Sequence, residues 1–132
     1  MKLRESFSAS LDSVSSFTGC LEQRLASLSI NDRTTIVLAV QELLVNIVRH
    51  AYAGREGQIE FELNHMAHEI VIRVRDFADT EFTPPDNLPE PDPLSLPESG
   101  MGLYIIQQSF DEVRYEHFAD GNEWQLRKTL GA

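Results

Sequence analysis

The sequence has little cysteine and no long hydrophobic run, and each shortage excludes a class of protein. The single cysteine, Cys20, cannot form an intrachain disulfide, and its place in a helical pattern predicts a small core residue. No stretch approaches the roughly 18 consecutive apolar residues of a membrane-spanning helix. The N-terminus also lacks the apolar run of a signal peptide. We therefore expect a cytoplasmic protein that does not enter a membrane.

Cationic side chains are scarce as well. The chain has 11 Lys and Arg against 21 Asp and Glu, which gives a formal net charge of −10. Nucleic acids and anionic membranes attract cationic surfaces, so this balance argues against both as partners. The length of 132 residues and the 42% hydrophobic content fit a single domain, residues 1–132, with one core.

Proline is absent except from one segment. All six prolines lie between residues 84 and 97, and residues 77–99 carry six acidic side chains and no Lys or Arg. Neither a helix nor a regular strand tolerates this density of proline. A loop of this length inside a compact domain is usually a lid or a binding loop when it is not disordered, and we interpret residues 77–99 as a lid.

A long helix is predicted over residues 31–52, with Asn31 or Asp32 as its N-cap. Apolar residues recur along it at three- and four-residue steps and form one stripe. Glu42, Asn46 and His50 follow each other at four-residue spacing along one edge of that stripe. A carboxylate, an amide and an imidazole at the border of a core indicate either a functional cleft or hydrogen-bonded residues of the core edge.

The rest of the chain predicts an α+β sandwich in which one sheet packs against one layer of helices. Residues 2–9 form a weak strand pattern and precede a helix with apolar residues from Val14 to Leu28. Residues 58–63 alternate as a strand, and a second strand follows a turn over residues 64–68. A short apolar helix over residues 103–110 and two strands joined at Asp120-Gly121 close the chain.

Two further features point to a ligand. Asp76 continues the buried row of the second strand, which is costly unless a partner or ligand satisfies the carboxylate; the alternative is a buried cap of a turn. Gly100-x-Gly102 before a helix frees backbone N–H groups that suit phosphate, although the same pattern often marks only a turn. Asn46 offers a neutral oxygen suited to Mg²⁺ that already carries phosphate oxygens.

The order of these motifs resembles the Bergerat ATP-binding fold of the GHKL superfamily, and in particular RsbW-type anti-sigma-factor serine kinases. Their N box is similar to Glu42-x-x-x-Asn46-x-x-x-His50-Ala51-Tyr52. Their two glycine boxes are similar to Asp76-Phe77-Ala78 and to Ser99-Gly100-Met101-Gly102-Leu103. The resemblance implies one mixed, mostly antiparallel sheet covered on one face by about three helices.

The resemblance also implies a role for each site residue, with ATP and Mg²⁺ as cofactors. Glu42 would act as the catalytic base, Asn46 would hold Mg²⁺, and Asp76 would bind the adenine amine. The other nucleotide-binding positions would be His50, as a brace, together with Ala78, Ser99, Gly100, Met101, Gly102 and Leu103. Members of this family phosphorylate a serine of an anti-anti-sigma protein, bind a sigma factor and commonly form homodimers.

The sequence departs from the family pattern at two places. Ala78 stands where relatives carry glycine, and Pro97-Glu98-Ser99 stands where relatives often carry an arginine that reaches the terminal phosphate. These departures favour an alternative, a non-catalytic nucleotide-binding regulatory protein that acts only by docking. A third option, the catalytic domain of a histidine kinase, would need a separate protein because the chain has no phosphoacceptor helix hairpin.

Overall fold

The computed structural model describes residues 1–81 and 98–131, and for residues 98–102 the backbone alone. The strands are β1 (Lys2–Ser8), β2 (Gln58–His65), β3 (Glu69–Asp76), β4 (Glu112–Phe118) and β5 (Gly121–Thr129). The helices are α1 (Leu11–Arg24), α2 (Ile30–Asn46), a π-helical turn (Ile47–Ala51) and α3 (Glu98–Ser109). Most of the predicted lid, residues 82–97, lies outside the described residues.

The strands form one five-stranded sheet in the order β1-β2-β3-β5-β4. Every strand pair in the described part of the chain is antiparallel, so the expectation of a mixed sheet is wrong in that detail. Helices α1, α2 and α3 lie in one layer, with α2 between the other two. The predicted α+β sandwich, one sheet with about three helices, is confirmed.

Helix α1 packs an apolar face against the sheet and turns Cys20 toward solvent. Ser10 is its N-cap, since the Ser10 side chain accepts a hydrogen bond from the Ser13 N–H at 3.1 Å. Val14, Phe17 and Leu21 are buried, whereas Cys20 is exposed. The prediction that Cys20 is a core residue is therefore wrong, because its helical position lies roughly 100° or more from the middle of the buried face.

Helix α2 is the central helix, as predicted, but it begins and ends differently. Ser29 is the N-cap, accepting from the Asp32 N–H at 3.2 Å, because the helix begins at Ile30, earlier than expected. After Asn46 the backbone widens into the π-helical turn, so residues 31–52 are not one regular α-helix. Single π-turns within helices occur frequently at functional sites.

Strands β2 and β3 follow the alternation in the sequence. Ile59, Phe61 and Leu63 of β2 are buried, as are Ile70, Ile72, Val74 and Asp76 of β3. The turn between these strands is shorter than the predicted residues 64–68, since backbone pairing extends to His65 and resumes at Glu69. Asp76 thus belongs to the buried row, as its phase in the sequence predicts.

Helix α3 includes the glycines that were expected to precede it. It begins at Glu98, so Gly100 and Gly102 lie within its first two turns rather than in a loop before Leu103. The N–H groups at the start of an α-helix have no partner inside the helix, and among the described residues of α3 they belong to residues 98–100. The glycines therefore lie inside the helix, beside the N–H groups at its N-terminal end.

The closing hairpin places Gly121 against the end of β3. Phe118 pairs with Gly121, so Ala119 and Asp120 form the two-residue turn rather than Asp120 and Gly121. Gly121 has φ +149°, and a Cβ built on it would lie 2.0 Å from the carbonyl oxygen of Asp76. Glycine is therefore required here for close approach of the two backbones as well as for conformation.

The sheet face away from the helices carries charged residues in cross-strand ion pairs. Arg73 Nε lies 3.1 Å from Glu123 Oε1, and Arg4 Nη2 lies 3.2 Å from Glu62 Oε2. Pairs of this exposed kind contribute little to stability, on the order of 0–1 kcal/mol each. Within the described residues, no helix combines the length and apolar character that crossing a membrane requires.

Candidate functional site

A cavity of about 160 Å³ opens between the helix layer and the end of the sheet. Its walls come from α2 and the π-helical turn, from α3, and from strands β3, β4 and β5. The lining residues are Leu43, Asn46, Ile47, His50, Ala51, Asp76, Thr80, Glu81, Leu103, Ile106, Tyr115, Asn122 and Trp124. Most of the wall is apolar, and a few polar groups converge in it, as is usual for small-molecule sites.

Asp76 is the most deeply buried acid among these residues, with 2% of its surface exposed. Its Oδ1 accepts two hydrogen bonds, from the Ala78 N–H at 3.0 Å and from Asn122 Nδ2 at 2.9 Å. Neither of these two bonds involves Oδ2, and the Asn122 backbone also interacts with the carboxylate. The bonds from Ala78 and Asn122 Nδ2 thus hold the carboxylate through Oδ1.

Burial raises the pKa of Asp76 above the ordinary value for an aspartate. The hydrogen bonds from Asn122 and Ala78 and the nearby His117 lower the pKa, but they do not cancel the effect of burial. A buried carboxylate of this kind costs free energy in the folded protein, and perturbed acids in clefts are candidates for functional sites. Its burial here agrees with the phase of Asp76 in the strand.

Asn122 joins Asp76 to strand β4 and to the segment after β3. Its Nδ2 also donates to the Thr80 carbonyl oxygen at 2.9 Å. Its Oδ1 accepts from His117 Nδ1 at 2.8 Å and from the Tyr115 hydroxyl. The sequence analysis missed Asn122, although it continues the alternating row of Trp124 and Leu126 in β5. The same kind of alternation, in β3, identified Asp76.

Tyr52 fixes the backbone on either side of the site. Its hydroxyl donates to the Gln58 carbonyl oxygen at 2.5 Å and accepts from the Phe77 N–H at 2.8 Å. Burial raises the pKa of Tyr52 above its ordinary value, so the phenol keeps its proton and can donate. The end of the π-helical turn is thereby connected to the start of β2 and to the residue after Asp76.

The predicted helix ridge is only partly at the cavity. Asn46, the last residue of α2, lines it, and so does the exposed His50 in the π-helical turn. Glu42 is half-buried one turn earlier and is not among the described residues that line the cavity. Asn46, His50 and Asp76 therefore share one cavity, and Glu42 lies beyond its edge.

The two glycine-box segments are placed differently. Ala78 is buried within the hydrophobic core and contributes its N–H to Asp76, and it is not among the described residues that line the cavity. Leu103 lines the cavity from α3. Ser99, Gly100, Met101 and Gly102 lie on the first two turns of α3, where the backbone alone is described.

The described residues contain no group of three or more His, Cys, Asp or Glu side chains arranged to hold a metal ion. The polar groups at the cavity instead suit an organic ligand that donates a hydrogen bond to Asp76. Asn46 adds a neutral amide oxygen near the rim, and the N-terminal N–H groups of α3 favour an anion. This arrangement fits a base with an exocyclic amine joined to phosphate.

Two comparisons with known proteins found matches to the chain as a whole. The family model described as "Histidine kinase-like ATPase domain" matches residues 7–128. The crystal structure of the RsbU and RsbW domains of Rv1364c from Mycobacterium tuberculosis superimposes with a TM-score of 0.65 at 19% sequence identity. The match covers 98% of this chain and 32% of that one, so the chain spans about a third of the similar protein. No curated protein matches the sequence.

Proposed function

Because the chain belongs to the family of histidine kinase-like ATPase domains, we propose that its cavity binds the adenine base of Mg-ATP. The observation that carries the proposal is the buried Asp76, whose hydrogen bonds from Ala78 and the Asn122 side chain both end on Oδ1 and leave Oδ2 to a ligand. The exocyclic amine of adenine is a donor that would satisfy this oxygen. The apolar side chains of Leu43, Ile47 and Ile106 would enclose the faces of the base.

We propose that the phosphates lie between Asn46 and the N-terminus of α3. The backbone N–H groups of residues 98–100 would supply donors, and the helix dipole favours negative charge there. Asn46 would hold the cation by its amide oxygen, and bound Mg²⁺ would neutralise charge on the phosphate oxygens. His50 would brace the π-helical turn that positions Asn46.

For the chemistry, we propose transfer of the terminal phosphate to a serine of a protein partner, with Glu42 as the general base. Glu42 precedes Asn46 by one helical turn, so the two Cβ atoms are separated by roughly 6 Å. Because Glu42 lies outside the cavity, it can face an acceptor that arrives from solvent. Its role is to accept the proton of the serine hydroxyl during transfer.

The proposed substrate is a small anti-anti-sigma-type protein that presents a serine. The proposal rests on the motif resemblance and on the similar structure, whose title names an RsbW domain. A sigma factor as second partner and a homodimer belong to the same proposal. The acidic net charge of −10 favours a partner with a basic contact surface.

A docking-only regulator is the second candidate, and the position of Glu42 supports it. The carboxylate is half-buried and away from the cavity lining, and Glu98 stands at the start of α3 where a cation would assist transfer. On this alternative the protein binds a nucleotide, or no ligand, and acts by holding its partner. The burial of Ala78 in the core is compatible with both candidate functions.

The experiment that separates the candidates combines calorimetry with phosphotransfer. The purified protein is titrated with Mg-ATP and then incubated with radiolabelled ATP and a lysate of its own cells. Binding together with label on a serine of a small protein supports the kinase. Binding without transfer supports the docking-only function. If Mg-ATP does not bind at all, the proposed function is wrong.

A further inference from the structure

The side-chain amide of Asn122 has every hydrogen-bonding position filled from within the fold. Nδ2 uses both of its protons, one on Asp76 Oδ1 and one on the Thr80 carbonyl oxygen. Oδ1 accepts from the Tyr115 hydroxyl and from His117 Nδ1. A carboxamide oxygen can only accept, so His117 must carry a proton on Nδ1. These partners define the orientation of the amide without ambiguity.

This arrangement determines how the carboxylate of Asp76 is presented. Asn122 Nδ2 and the Ala78 N–H approach the same oxygen, Oδ1, at 2.9 Å and 3.0 Å. Two donors on one oxygen resist rotation of the carboxylate about its Cβ–Cγ bond. Because Oδ1 already accepts from two donors, a ligand amine would be received by Oδ2.

We infer that Asn122 is a positioning residue that offers a single oxygen of Asp76 to the base, and so selects for adenine over guanine. The inference rests on the proposed function and extends it to base specificity. Adenine presents one exocyclic amine, which needs one acceptor. Guanine presents an N1–H beside its 2-amino group, and this pair is matched by a carboxylate with both oxygens free.

The selecting arrangement is built from several elements of the fold. Strand β5 provides Asn122, β3 provides Asp76, and β4 supports Asn122 from behind through Tyr115 and His117. Asn122 is 2% exposed, so water cannot replace its hydrogen bond to Asp76 easily. A lost hydrogen bond to a buried charged group has a large effect on affinity.

The test compares Asn122→Thr with Asn122→Val, which have nearly the same shape and differ in one hydroxyl. Calorimetry with Mg-ATP and with Mg-GTP gives an affinity ratio for wild type and for each variant. Thr can donate to Asp76 and should retain the preference for ATP. Val cannot donate, and the preference should fall by roughly 10- to 100-fold.

The possible failures are distinct from one another. If wild type binds neither nucleotide, the proposed function fails and the inference fails with it. If wild type prefers ATP and a folded Asn122→Val variant keeps the same ratio, the inference alone is overturned. An equal loss in the Thr and Val variants also overturns it, because shape rather than the hydrogen bond would then set the ratio.

A second variant applies if Asn122→Val does not fold. Tyr115→Phe keeps the ring, which packs 4.8 Å from the Trp124 ring centroid, and removes the hydroxyl that donates to Asn122. The amide then loses one of its supports, and the ATP preference should fall, although less than with Val. An unchanged ratio in Tyr115→Phe would overturn the inference.

Discussion

At the scale of single residues, the position of Asp76 is unfavourable for stability but useful for binding a ligand. Its carboxylate is buried at the end of a strand, where a charged group is costly, and two donors compensate only one of its oxygens. The second oxygen is the group that a ligand amine would satisfy. Such a cost is commonly tolerated where a site needs a group held ready for a ligand.

Replacing Asp76 with Asn should weaken Mg-ATP binding by about 1–3 kcal/mol. The amide can keep its oxygen toward Ala78 and Asn122, but its Nδ2 would then face the amine of adenine, donor against donor. Calorimetry on both proteins measures the difference, with the exposed Asp12→Asn in α1 as a control that should bind normally. Equal affinity in wild type and Asp76→Asn would refute the adenine contact.

Glu42→Gln should bind Mg-ATP and the partner normally but lose phosphotransfer by about 10²–10⁴-fold, because glutamine cannot accept the serine proton. Transfer of label to a copurified partner is the measurement. Glu22→Gln, a change at an exposed position of α1, is the matched control. Equal transfer by wild type and Glu42→Gln would show that Glu42 is not the base.

At the scale of elements, the π-helical turn and the end of β3 are held together by one side chain. Tyr52 follows the turn, and its hydroxyl connects the carbonyl of Gln58 with the N–H of Phe77. Gly57 leaves room for the ring, since a Cβ there would lie 2.1 Å from Tyr52 Cε1. The elements that carry Asn46 and Asp76 are thus fixed relative to each other.

Tyr52→Phe should lower the free energy of unfolding by about 1–3 kcal/mol, because it leaves the Phe77 N–H without its partner. Urea denaturation measures the change. Tyr104→Phe in α3 is a suitable control, since the Tyr104 hydroxyl makes no hydrogen bond to a described residue. If Tyr52→Phe is as stable as the control, the hydroxyl does not connect these elements.

At the scale of the whole molecule, groups with opposite pKa shifts determine how stability depends on pH. Hydrogen bonds from Thr129 lower the pKa of Asp111, and hydrogen bonds from Arg127 and Arg114 lower that of Glu112. The Asp111 and Glu112 carboxylates each stabilise the fold when the pH is above the pKa of the group in the unfolded chain. That contribution is lost as the pH falls. Asp76, with a pKa raised by burial, has the opposite effect.

The contribution of Asp76 can be isolated by comparing unfolding free energies of wild type and Asp76→Asn across pH. The folded protein binds the Asp76 proton more tightly than the unfolded chain, so wild type should lose stability relative to Asp76→Asn as pH rises from about 4. The difference should level off once Asp76 is ionised in the folded state. A difference that does not change with pH would contradict the raised pKa.

The sequence alone determined the features that depend on local periodicity. Alternation over two residues identified β2 and β3 and the burial of Asp76, because successive strand side chains point to opposite faces. The helical period identified α2 and placed Asn46 and His50 on one edge. The predictions for the N-cap of α2, the burial of Cys20 and the start of α3 were wrong. Where a helix ends and which of its faces is buried depend on the neighbouring elements.

Only the tertiary structure decided which groups meet at the cavity. Asn122 lies 46 residues after Asp76 and reaches its carboxylate because β5 pairs with β3 in one particular register. A local pattern shows which side chains of a strand share a face. It does not show which strand lies beside it or how the two are aligned, because both follow from packing of the whole sheet. The Tyr52 hydroxyl likewise connects the end of the π-helical turn to distant strands, and Asn46 and His50 line the same cavity as Asp76.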